Sequence, residues 1–260
     1  MKILMMISFS ITLTVPAALL SQTISKPSFQ AASVKPNPQS GFSRSSISIA
    51  GNRYSATGTT LRRLIMEAYN LRDWQVVDGP SWIATDQWDV EAVADDGVAL
   101  VILNVEDPNR PTAAGLMMQS LIEDRYQFKF HRETKELPVY ELTVARNGRK
   151  FKLSMEQQSI GTRRGGRGEI EVQAHPFASF AYLLSRQLDR TLINKVDLSG
   201  LYDIKLQWNP ELPVTGEPLS ASDRPSVFTA VQEQLGLKLE SSKGPVEVLV
   251  IESASKPSND

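Results

Sequence analysis

The chain has 260 residues, 41% of them hydrophobic, so it is long enough to bury one large core or two smaller ones. Its 28 basic and 29 acidic residues nearly cancel, which excludes an overall field that would concentrate nucleic acid or an anionic membrane. It contains no cysteine, and this excludes disulfides, thiolate metal sites, cysteine nucleophiles and a lipid-modified N-terminal cysteine.

The N-terminal residues have the pattern of an export signal. Lys2 supplies the positive start, residues 3–15 are mostly apolar, and residues 16–21 offer the small side chains that cleavage requires. We predict a signal peptide at residues 1–21, cleaved after Ser21, and an exported protein in the periplasm or outside the cell. The alternative is a retained anchor, but serine and threonine dilute the run below the ~20 apolar residues that a spanning helix prefers. We predict no membrane-spanning segment once the signal is removed.

The first predicted half covers residues 22–146. A short strand is predicted near Phe29–Lys35, and a strand, a turn and a helix follow from Asn52 onward. An aromatic residue and an aspartate then mark a strand at Trp88–Ala92. A second helix is predicted at Thr112–Asp124, because its apolar residues recur at helical spacing.

Two alternating segments follow the second helix of this half and also end the chain. In the first half they are Tyr126–Phe130 and Val139–Val144, and near the C-terminus they are Leu237–Leu239 and Val246–Ile251. A polar stretch and a Pro-Val pair separate the two segments each time. This pattern predicts a β-hairpin in both places.

The second predicted half covers residues 169–260, after a Gly- and Arg-rich linker at residues 147–168. It repeats the order of the first: strand, turn, helix, an aromatic–Asp strand at Tyr202–Leu206, and a helix at Ser226–Leu235 capped by Gly236. The near-constant offset between four matching units predicts an internal duplication. Single helices between strands predict an α+β fold, in which each half packs helices on a mainly antiparallel sheet.

The residues give little support for catalysis. The two histidines, His131 and His175, lie far apart without the spacing of a ligand pair, so we predict no metal site and no cofactor. No nucleophile elbow or phosphate-binding glycine loop occurs, and Ser253–Lys256 matches Ser-x-x-Lys without its partner motifs. Asp89 and Asp203, equivalent in the two halves, leave open a hydrolase of cell-wall or extracellular polymers. The other interpretation is that each aspartate faces solvent or accepts hydrogen bonds from a turn.

Two features are candidates for binding. Trp74, Trp82 and Trp88 crowd into one stretch of the first half, where exposed rings would stack on sugars or pack against a partner. Core anchoring of two of these rings is the other interpretation. The basic run Arg163–Gly168 would grip an anionic polymer, but its glycines and its lack of aromatic residues favour a solvated linker.

Several stretches are similar to those of a known family. The sequences FQAASVKPN (29–37), GPSW (79–82), LIEDRYQFKFHRETKELPVYELTVA (121–145) and QEQLGLKLE (232–240) resemble an uncharacterised family of exported proteins from soil bacteria, built on a domain of unknown function. The resemblance covers nearly the whole mature chain. It departs at Asn194–Leu198, where the family usually has Asp-x-Thr-Gly-Leu. Similar domains are fused to membrane metallopeptidases of the antibiotic-sensor type, which implies sensing or binding outside the membrane.

We therefore predict an exported, non-catalytic binding or interaction module, of which an extracytoplasmic sensory domain is one form. The expected partner is an envelope protein, a peptide or a glycan, and nucleic acid is not expected. Addition of a strand to an open sheet edge is the simplest way in which such a fold binds a peptide.

Overall fold

The computed structural model describes residues 26–37, 45–101, 110–158, 161–210 and 224–258. The predicted signal peptide lies outside these ranges. Among the helices that fall within them, none combines the length and the apolar character needed to cross a bilayer.

The described residues form an α+β fold, as predicted. The strands are β1 (Ala31–Pro36), β2 (Ser46–Ala50), β3 (Arg53–Thr60), β4 (Val76–Asp78), β5 (Gln87–Val93), β6 (Lys129–Val144), β7 (Lys152–Leu153), β8 (Arg163–Gly166), β9 (Glu169–Pro176), β10 (Thr191–Asn194), β11 (Leu201–Gln207) and β12 (Leu237–Ser253). The helices are α1 (Leu61–Ala68), α2 (Trp82–Thr85), α3 (Ala113–Arg125), α4 (Phe177–Ser185) and α5 (Val227–Leu235).

Helix boundaries follow local sequence signals. The hydroxyls of Thr60, Thr112 and Ser226 each accept a hydrogen bond from the backbone N–H three residues later, at the starts of α1, α3 and α5. Such side-chain caps satisfy backbone donors that a helix start leaves unpaired. Gly236 ends α5 in the left-handed conformation, at φ 64°, as the sequence predicts.

Two outer sheets have the same strand order. The first outer sheet runs β1-β5-β3-β2 and the second runs β7-β11-β9-β8, and every neighbouring pair in both is antiparallel. When the four strands of each sheet are numbered in chain order, both sheets read 1-4-3-2 from one edge to the other. The two halves therefore repeat one arrangement, and its origin by duplication stays a hypothesis.

A central sheet joins the halves. Its order is β10-β6-β12-β4, with β6 and β12 pairing antiparallel along nearly their whole lengths. We call this long pair the central ribbon. The short strands β4 and β10 flank it in parallel, one beside β12 and the other beside β6.

The predicted hairpins are wrong, because β6 and β12 are each one continuous strand. The polar stretch in β6 lies in a part of the central ribbon that is exposed to solvent. In the sequence, a run of exposed polar strand residues has the same composition as a turn. Pro138 pairs with Lys243 and Pro245 pairs with Glu136, two positions away along the ladder. Opposed residues in an antiparallel ladder alternate between hydrogen-bonded and non-hydrogen-bonded pairs, so these two pairs are of the same kind. Proline has no N–H to donate, and in a non-hydrogen-bonded pair the ribbon loses no hydrogen bond because of it.

Each core contains residues from the opposite half of the chain. The first core lies between the first outer sheet, α1 and α3, and it includes Leu249 and Ile251 of β12. The second core lies around α4, α5 and the second outer sheet, and it includes Tyr140 and Leu142 of β6. Each half therefore contributes one strand of the central ribbon to the core of the other half.

The segment predicted as a linker, residues 147–168, also contributes structure. Phe151 is buried in the second core, with its ring stacked 5.7 Å from that of Phe177. Within the same segment, β7 and β8 form the two edges of the second outer sheet. The segment therefore connects the halves in the chain and completes the second of them.

Candidate functional site

A cleft lies where the two halves face each other beside the central ribbon. It has a volume of about 190 Å³, and we call it the inter-half cleft. Its lining residues follow α1 in the first half or belong to α4, the loop after it and β10 in the second: Asn70, Arg72, Trp74, Gln75, Tyr182, Ser185, Arg186, Arg190, Thr191 and Leu192. Clefts between structural units are common places for ligand sites.

Hydrogen bonds across the cleft hold the two halves together. The Trp74 indole N–H donates to Oγ1 of Thr191 at 3.0 Å, and the Tyr182 hydroxyl donates to Oδ1 of Asn70 at 3.1 Å. Arg72 Nη2 donates to the carbonyl of Arg186 at 3.2 Å. The ring of Trp74 lies under the Arg72 guanidinium, 5.3 Å from its centroid.

Three arginines, Arg72, Arg186 and Arg190, line this cleft. Among the described residues, the one carboxylate within ion-pair distance of them is Glu67, 4.0 Å from Arg186. Arg190 lies over the Tyr140 ring at 5.2 Å. The described lining therefore carries three positive charges with one carboxylate within ion-pair distance.

Arg72 is partly buried. Its Nε atom is buried and has no hydrogen-bond partner in the described part of the chain. Burial lowers the pKa of its guanidinium, and the neighbouring charge of Arg186 lowers that pKa further. Perturbed charged groups that line a cleft mark candidate functional sites. An anion in the cleft would relieve the repulsion between Arg72 and Arg186.

The predicted tryptophan cluster divides into two places. Trp88 is buried, and its ring meets those of Trp82 and Tyr126 at 6.5 Å and 5.5 Å. Lys256 lies 5.8 Å from the centroid of Trp82 and pairs with Asp86 at 2.7 Å, so the C-terminal residues cover this cluster. Trp82 and Trp88 therefore anchor the first core. Trp74 alone of the three lies in the inter-half cleft.

The aspartate pair is not brought together. Asp89 lies in the first outer sheet and accepts the N–H of Gly58 at 2.8 Å, while Asp203 lies in the second and accepts the N–H of Ala174 at 2.8 Å. Gly58 and Ala174 occupy bulges of β3 and β9, with φ of 58° and 50°. Each aspartate therefore holds the bulge of its own sheet, and the two do not flank a shared cleft.

We expect Asp89→Ala to lower the free energy of unfolding by about 1–3 kcal/mol, since it removes the acceptor of a partly buried backbone N–H. Asp89 also accepts from Nδ2 of Asn37 at 2.8 Å, so two bonds are lost. Asp89→Asn keeps one acceptor oxygen and should cost less. Urea unfolding measures the difference, with the exposed Asp197→Ala as the matched control. Equal midpoints for Asp89→Ala and the control would contradict the structural role.

The histidines occupy separate environments. His131 lies on β6, and its Nδ1 is 2.9 Å from the Glu252 carboxylate. His175 is buried at the end of β9, and burial lowers the pKa of its imidazole. In the ranges that the structure describes, no group of three or more histidine, aspartate or glutamate side chains is arranged to hold a metal ion.

The basic run lies at an edge of the second outer sheet. Residues 163–166 form β8, which pairs with β9, and Arg164 is exposed. Arg164 therefore faces solvent away from the interior of the inter-half cleft, whose lining does not include it.

Sequence reasoning did not single out the arginines of the cleft. The repeated pattern gives no signal for them. Helices α1 and α4 start at Leu61 and Phe177, and at this offset Arg72 aligns with Leu188, while Arg186 and Arg190 align with Asn70 and Trp74.

One comparison with known proteins gives a match. A family described as "Protein of unknown function (DUF3738)" matches residues 62–254, from the first turn of α1 to just past β12. No curated protein matches the chain, and no solved structure matches it.

Proposed function

The chain belongs to the DUF3738 family, and we propose that it is a non-catalytic binding module that takes a small anionic ligand into the inter-half cleft. The observation that carries the proposal is that Arg72, Arg186 and Arg190 line one cleft, while Glu67 is the one carboxylate within ion-pair distance of them among the described residues. Arginine is well suited to such a site, because its planar guanidinium binds carboxylate or phosphate oxygens through two parallel hydrogen bonds.

The cleft also suits a sensory module. Its hydrogen bonds connect Asn70 to Tyr182 and Trp74 to Thr191, and each of these pairs joins the two halves. A ligand held by Arg72 and Arg186 would touch both halves at once and stabilise their association. We further propose export to the periplasm or beyond, on the basis of the N-terminal apolar pattern.

The proposal is tested with Arg186→Gln and Arg190→Gln. We expect acetate, inorganic phosphate or D-glucuronate to bind the unaltered protein, as measured by titration calorimetry and by the rise in Tm. Each variant should weaken that binding about ten- to hundredfold, because a hydrogen bond to a charged group contributes about 1.5–3 kcal/mol.

The exposed Arg164→Gln is the matched control, since it removes the same charge away from the cleft. It should bind the anions as the unaltered protein does. The proposal fails if none of the three anions binds, or if all three arginine variants weaken binding equally. In the second case the effect would belong to overall charge rather than to the cleft.

A further inference from the structure

We infer that the ligand of the inter-half cleft is an acidic sugar, a uronic acid unit with a single carboxylate. This inference rests on the proposed function and specifies its ligand. It follows from the size of the cleft, the hydrogen-bonding groups that line it, and the helix end that borders it.

The size of the cleft limits the ligand to about one ring. A volume of about 190 Å³ lies below the ~300–1,000 Å³ of pockets that enclose drug-sized molecules. Among the described lining residues, Leu192 alone is aliphatic, so no apolar pocket exists for a peptide side chain. The aromatic wall consists of Trp74 and Tyr182, side chains that pack well on the C–H face of a sugar ring.

The hydroxyl groups of the cleft keep both donor and acceptor capacity. Thr191 accepts from Trp74 and still has its own hydrogen to donate. Tyr182 donates to Asn70, and Ser185 donates to the carbonyl of Tyr182 at 2.7 Å, so both oxygens can still accept. Ligand hydroxyls match such a mixture, because each of them both donates and accepts.

The helix end favours a single negative charge. The C-terminal end of α4 borders the cleft through Ser185 and Arg186, and the C-terminal end of a helix carries partial negative charge. Phosphate groups are usually held at helix N-termini, where backbone N–H groups point at the ligand. Three arginines balanced against Glu67 and the end of α4 therefore suit a carboxylate better than a phosphate dianion.

The test compares four probes on the full exported chain by titration calorimetry: D-glucuronate, its uncharged methyl ester, D-glucose and acetate. We expect D-glucuronate to bind at least about tenfold more tightly than each of the other three, since it alone combines the charge with the ring hydroxyls. Tyr182→Phe removes only a hydroxyl that is exposed in part, so the fold should be retained. It should weaken D-glucuronate about fivefold and leave acetate unchanged.

Further probes separate the sources and the rival ligand. Binding of tri-galacturonate supports the inference, whether or not the single uronate sugar also binds. It would show that the recognised uronate is a unit of a polymer. A tripeptide with a free C-terminus that binds more tightly than any uronate overturns the inference in favour of peptide ends. The inference is also overturned if acetate binds as tightly as D-glucuronate and Arg186→Gln weakens acetate binding. In that case the proposed function still holds. If no anion binds, the proposed function itself has failed.

Discussion

Splitting the chain between Asn147 and Gly148 is expected to leave neither fragment folded. The fragment 22–147 loses Leu249 and Ile251 from its core, and the fragment 148–260 loses Tyr140 and Leu142. Removing buried residues of this size costs about 2–5 kcal/mol each, against a total stability of about 5–15 kcal/mol. Each fragment also loses the partner of its longest strand.

Circular dichroism and amide dispersion in NMR spectra measure the result. Each fragment alone should give the spectrum of an unfolded chain, and an equimolar mixture should recover the folded spectrum. A full chain cut by a protease at an engineered site between residues 147 and 148 is the control, and it should remain folded. A first fragment that folds alone would show that the central ribbon is dispensable to that half.

Gly236→Ala should cause one of the largest losses of stability among single substitutions. A Cβ at this position would overlap the carbonyl oxygen of Gly148, and the backbone is left-handed at φ 64°. The strain of the left-handed conformation and the steric overlap together should cost about 2–5 kcal/mol. The overlap matters because Leu235 and Gly236 receive backbone hydrogen bonds from Lys150 and Ala145, both at 2.9 Å.

Gly51→Ala is the matched control. Gly51 has nearly the same conformation, at φ 62°, but no atom lies within 4 Å of a Cβ built there. Gly51→Ala should lower the free energy of unfolding only by the strain of the left-handed backbone, about 1–2 kcal/mol. The difference between the two urea-unfolding energies measures the contact between α5 and the segment after β6. Equal losses would show that this contact has no effect on stability.

The sequence predicted those elements whose signals are local. Helices α3 and α5 follow from apolar periodicity, and the end of α5 follows from Gly236. The aromatic–Asp strands and the similarity of the halves also follow from nearby residues. The hairpins were predicted wrongly because a polar strand and a polar turn have the same composition, and only the partner strand distinguishes them.

Of the residues that line the inter-half cleft, the sequence predicted only Trp74 as a binding residue. Trp74 was named beside Trp82 and Trp88, but sequence proximity cannot tell a ring that anchors a core from a ring that lines a cleft. The arginines were missed because Arg72 is separated from Arg186 by more than a hundred positions. Their convergence depends on how the halves face each other.

Local signals in the sequence predict the fold class, the limits of α3 and α5 and the repeated order of elements, because these depend on turns, periodicities and a glycine cap within a few residues. The tertiary structure alone decided that β6 and β12 pair across the halves and that three arginines share one cleft. Both results depend on contacts between residues far apart in the chain, whose free energy is gained only when both cores close together.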